Sequence, residues 1–72
     1  MGWYSTRTAI LNGKGSYGTV RESLRGESDP HRTLLVALEQ IDREIKGGLQ
    51  LPRNAKIRRA YWSRRSGYSG GA

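Results

Sequence analysis

The chain has no cysteine, no phenylalanine, one histidine and two prolines. Without cysteine no disulfide can staple the fold. The lone histidine, His31, cannot assemble a zinc site that wants about four ligands, and neither a metal nor a cofactor is expected. Leu, Ile and Val number 13 of 72 residues. That falls below the level of about 20% at which high net charge starts to favour disorder, so a thin core with frayed ends is expected. One small domain is the most that this length supports, burying only about 60% of its unfolded surface. No apolar run approaches the roughly 20 residues that cross a bilayer. The start Met1-Gly2-Trp3-Tyr4 lacks the charged and apolar stretches of a signal peptide. A cytoplasmic location without membrane contact is expected. A myristoylation pattern is met at Thr6, but it is too short to weigh much.

Acid is also missing from the last quarter. Residues 53–72 hold Arg53, Lys56, Arg58, Arg59, Arg64 and Arg65 with no Asp or Glu, whereas residues 1–52 hold seven bases and six acids. The net +7 therefore divides into +1 and +6. Charge segregated in this way points to an anionic partner. The sequence divides accordingly into a body, 1–52, and a basic tail, 53–72.

What is present suggests an α+β fold. Trp3 to Leu11 is rich in aromatic and β-branched residues and reads as a strand. Asn12-Gly13 is a strong hairpin signal, and Lys14 to Arg21 would return antiparallel. A competing reading starts a short helix with a Thr19–Glu22 capping box and ends it at Gly26. The central helix, about 30–46, has Asp29 as N-cap and Pro30 in its first position. Leu34, Leu38, Ile41 and Ile45 form its apolar stripe, and Gly47-Gly48 end it. This stripe serves as the internal core rather than a dimer seam, since it spans fewer than two heptads. A monomer is expected. Leu49 to Pro52 reads as a linker. A second helix from about Asn54 to Arg65 would turn Ile57, Ala60 and Tyr61 to one weak face. Residues 66–72 read as a flexible end.

Several motifs fail as chemistry. Gly13-Lys14-Gly15-Ser16-Tyr17-Gly18-Thr19-Val20 fits the kinase glycine loop, GxGxxGxV. A kinase also needs a strand lysine, a catalytic aspartate and a metal-binding aspartate, for which there is no room. His31 has no nucleophile or orienting group beside it. Glu22, Glu27 and Asp29 do not match a calcium loop. No enzyme is expected. The tail is the stronger signal. Arg53, Lys56, Arg58, Arg59, Arg64 and Arg65 can grip phosphates or carboxylates, and Tyr61 and Trp62 can stack or anchor. An exposed Trp62 among arginines would need a partner to cover it.

Two functions fit such a tail. One is a nucleic-acid-binding protein gripping DNA or RNA backbone with little sequence readout. The other is a regulator that clamps an acidic surface of a larger machine. The strings M-G-W-Y-S-T-R-T, G-E-S-D-P-H-R-T-L-L-V-A-L-E-Q-I-D-R-E-I and R-R-A-Y-W-S-R-R, with the size and charge, resemble the tiny basic transcription regulators encoded by lytic bacteriophages. The resemblance implies binding to the large subunits of the host's bacterial RNA polymerase, inhibition of promoter initiation by weakening or displacing the sigma factor, and antitermination. It carries over no individual contact residue.

Overall fold

Four helices account for the regular structure in the computed structural model, which describes residues 2–12 and 17–69. They are α1 (Trp3–Leu11), α2 (Tyr17–Leu24), α3 (Pro30–Lys46) and α4 (Arg53–Ser66). The expected β-hairpin does not form, and no strand occurs among the described residues, so the α+β expectation is corrected to an all-helical fold. The segment read as the first strand is α1. Its buried residues are Thr6, Ala9 and Ile10, spaced three and one apart, as on one helical face. Strand alternation would have turned Thr6, Thr8 and Ile10 to the same side, but Thr8 is exposed. β propensity is a weak preference that helix packing overrides here. Asn12 is the C-cap of α1, while residues 13–16 of the glycine string lie outside the described residues. The expected return strand gives way to α2, and Thr19 falls within that helix instead of capping it.

The central helix runs over the span its sequence spacing predicts. Asp29 caps it by accepting a hydrogen bond from the Arg32 N–H at 3.2 Å, with Pro30 at the first position. At the far end, Gly48 N–H donates to the Ile45 carbonyl at 3.0 Å and Leu49 N–H to the Glu44 carbonyl at 2.9 Å. These two bonds are the Schellman pair, and they require Gly48 to sit at φ +114°, where a side chain would be strained. Leu34, Leu38 and Ile41 are buried and meet Ile10 of α1, Val20 of α2 and Trp62 of α4 in one core. α1 packs most extensively on α3 and also touches α2 and α4. The radius of gyration is 11.0 Å, close to the roughly 11 Å expected of a compact chain this long.

Buried polar groups are paired between helices. Ser23 Oγ donates to the Val20 carbonyl at 2.6 Å, which uses its only proton. Thr6, fully buried, therefore donates its own hydroxyl proton to Ser23 Oγ at 2.9 Å. Glu27 accepts from the Gly2 N–H at 2.8 Å and from Thr33 Oγ1 at 3.2 Å, tying the start of α1 to α3. The Arg7 guanidinium of α1 grips both carboxylate oxygens of Glu44 on α3.

The Arg7 hydrogen bonds hold the Glu44 carboxyl below its ordinary pKa, against the opposing effect of burial. A depressed carboxylate pKa stabilises the fold above the unfolded value. That contribution is lost as pH falls through the folded value. Glu44→Gln is therefore expected to be less stable at neutral pH than the wild type. Its stability should also fall less steeply below about pH 4.5, as read by urea denaturation along a pH series. An acid limb identical in the two proteins would show that this pair contributes nothing.

Candidate interaction face on the C-terminal helix

The basic tail is largely an ordered helix docked on the body. α4 starts after Pro52 and ends at Gly67, which takes φ +76°. Gly67 N–H donates to the Arg64 carbonyl at 3.3 Å and Tyr68 N–H to the Ser63 carbonyl at 3.0 Å, a second Schellman ending. Tyr68 then folds back, and its hydroxyl donates to Asp42 Oδ2 at 3.2 Å. Burial first, and then the neighbouring Asp42 charge, push the Tyr68 phenol above its ordinary pKa. Residues 66–68 of the expected flexible end are thus held in place, and residues 70–72 lie outside the described residues.

The helix turns inward the face that sequence reading left to a partner. Ala55, Arg58 and Trp62 are buried, whereas Ile57 is 47% exposed and Ala60 is also exposed. Trp62 is 4% exposed and belongs to the core, so it needs no outside partner to cover it. Its ring meets Tyr61 edge-on at 5.0 Å, and the Arg21 guanidinium lies 6.0 Å from its centroid. Trp62 Nε1 has no acceptor among the described residues. That costs about 1–3 kcal/mol, which the burial of a whole indole offsets.

Two of the expected ligand-gripping arginines are also structural. Arg58 Nε donates to the Ile10 carbonyl at 3.0 Å, and its Nη2 donates to the Asn12 carbonyl. These carbonyls close α1, where helix ends leave acceptors unfilled and a cation is favoured. Arg59 Nη2 donates to Asp42 Oδ1 at 2.7 Å. Asp42 is itself buried, with Arg59 on one oxygen and Tyr68 on the other.

Arg53, Lys56, Arg64 and Arg65 remain of the expected set as exposed cations. At 100° per residue, Arg53, Ile57, Ala60 and Arg64 fall within about 60° of arc, with Lys56 on one flank. Arg53 and Arg64 stand about 16 Å apart along the axis. Arg65 lies over the Tyr61 ring at 5.9 Å, at the other flank. No acid occurs anywhere in α4. Arg21 is brought from α2 over the Trp62 ring, on the side of α4 away from that face. No local pattern marks Arg21, because only the packing of α2 near α4 puts it there.

The remaining acids are occupied. Glu22 pairs with Arg25 at 3.2 Å and Glu39 with Arg43 at 3.7 Å, while Asp29 caps α3. His31 Nε2 donates to the Ser66 carbonyl at 2.9 Å, joining the start of α3 to the end of α4. Among the described residues no group of three or more His, Asp or Glu could hold a metal ion, and no helix is long and apolar enough to cross a membrane. No protein-family model, curated protein or solved structure matches the chain.

The two faces of α4 separate by stability. Trp62→Ala should cost about 3–5 kcal/mol, a large share of what a domain this small possesses. Arg64→Ala, on the outer face, should stay within about 0.5 kcal/mol. Chemical denaturation followed by circular dichroism checks both. Equal, small losses would mean that Trp62 is not part of the core.

Proposed function

We propose that this chain is a small non-enzymatic regulator of the bacteriophage type. In this reading it binds the large subunits of a host bacterial RNA polymerase in the bacterial cytoplasm through the outer face of α4. Binding weakens or displaces the sigma factor, inhibits promoter initiation and favours antitermination. The polymerase itself is implied by the sequence resemblance. The single structural observation that supports a protein partner is the make-up of the α4 face. An exposed aliphatic residue, Ile57, stands between Arg53 and Arg64 along that face, with Lys56 at its flank. An apolar centre with a charged rim, rich in arginine, is the usual anatomy of a protein interface. A phosphate grip has no use for an exposed aliphatic side chain, and the aromatic rings of α4, Tyr61 and Trp62, meet each other and lie beside arginines. The positive face would speed encounter with an acidic surface.

The direct test is binding of the full chain to purified bacterial RNA polymerase core and holoenzyme, and to a bare DNA duplex, at about 0.1 M and about 0.3 M salt. About five phosphate contacts predict a roughly 100-fold loss on DNA over that range. Polymerase binding is expected to survive it and to compete with the sigma factor. Saturable DNA binding with no polymerase binding would overturn the proposal in favour of a nucleic-acid-binding protein.

A further inference from the structure

A cavity of about 440 Å³ opens where the end of α3, the connection after it and the first turn of α4 meet. Ile45, Leu49 and Leu51 line it, with Gln50, Lys56 and Arg59 completing the wall. Its origin is the Schellman turn at Gly47-Gly48, which reverses the chain at once and leaves two leucines in an extended connection before Pro52 starts α4. Leu51 and Ile45 rest against the core, while Leu49 stands outside that cluster, half-buried. The volume lies in the range of about 300–1,000 Å³ typical of ligand sites.

The wall carries two cations and no carboxylate. Among the described residues Lys56 makes no ion pair, and Arg59 gives a single nitrogen, Nη2, to Asp42, which leaves the rest of its donor fork for a ligand. The apolar wall is aliphatic, so it offers no platform on which a base could stack, whereas a leucine or phenylalanine side chain fits it by chemistry. Lys56 also flanks the outer face of α4, about 60° round the helix from Arg53. A segment lying along that face therefore reaches the rim of the cavity at Lys56.

Resting on the reading that the partner is a protein, we propose that this cavity is the anchor site for an acidic amphipathic segment of it. One bulky apolar side chain of the segment enters between Ile45, Leu49 and Leu51, and its flanking carboxylates meet Lys56 and Arg59. Charge complementarity selects the segment, and the aliphatic pocket selects its anchor.

The test uses the full chain with labelled methyl groups and a synthetic acetylated peptide of about fourteen residues, with Leu and Phe one helical turn apart among glutamates. The peptide is expected to shift the methyl signals of Ile45, Leu49 and Leu51. An analogue of equal charge with both anchors replaced by Ala should bind at least about tenfold more weakly. Leu49→Ser should weaken the anchored peptide by a similar factor and leave the Ala analogue unchanged. The Leu49 backbone keeps its cap whatever the side chain, and Lys56→Gln, at an exposed position, gives a second variant expected to weaken both peptides. Equal binding of the two peptides, unmoved cavity methyls, or the same methyl shifts with a single-stranded oligonucleotide would overturn the inference. RNA polymerase separates this inference from the reading on which it rests. If polymerase binds wild type, Leu49→Ser and Lys56→Gln alike, the anchor site is wrong and the regulator reading stands. If the anchored peptide fills the cavity and polymerase does not bind, the reverse holds.

Discussion

The guanidinium of Arg58 connects the two ends of this protein. It reaches from α4 to the last carbonyls of α1, placing a cation at the negative end of that helix and filling acceptors that α1 cannot fill itself. The nearer of these carbonyls in sequence, that of Asn12, is 46 residues away. Once Arg58 is in place, Trp62 one turn later must enter the core, and Arg59 must face Asp42 on α3. A domain without a disulfide or a large aliphatic core gains a fourth wall in this way. The burial of a charged group is tolerated because both bonds go to oriented carbonyls.

The same geometry decides what α4 has left for a partner. Arg58, Arg59 and Trp62 are committed to the fold, and the acids are committed to caps or ion pairs. Much of the excess positive charge therefore sits on exposed side chains of α4, namely Arg53, Lys56, Arg64 and Arg65. A disordered clamp would have to order on binding and lose affinity to that ordering. A docked helix presents Arg53, Lys56, Ile57 and Arg64 already in register.

How much of this could be read beforehand varied with the kind of signal. α3 was legible end to end, because it is long, periodic, capped by Asp29 and closed by paired glycines. α1 was not: nine residues rich in Trp, Tyr and Thr look β-prone, and the helical spacing of Thr6, Ala9 and Ile10 is too brief to outweigh that. The helical character and glycine stop of α4 are visible in the sequence, but its orientation is not: of the expected apolar face Ile57 and Ala60 point outward, and only Tyr61 packs, half-buried, against the core. Ile57, Ala60 and Tyr61 form the obvious apolar face by residue type. The inward face includes two arginines whose partners, the α1 carbonyls and Asp42, are distant in sequence. The charge of the basic tail is plain in the sequence, and only tertiary contacts divide its residues into those that hold the fold and those that face outward. The α3–α4 cavity, produced by a turn and not by a motif, left no mark in the sequence that pattern reading could find.

The central claim is that α4 belongs to the folded body of the free protein. Native-state amide hydrogen exchange of the full chain, without any partner, addresses it residue by residue. The account predicts that amides around Arg58 and Trp62 exchange only through the same global opening that exposes Leu38 and Ile41. Fast exchange throughout α4, with α3 still protected, would contradict it and restore the tail to an independent, partner-ordered segment.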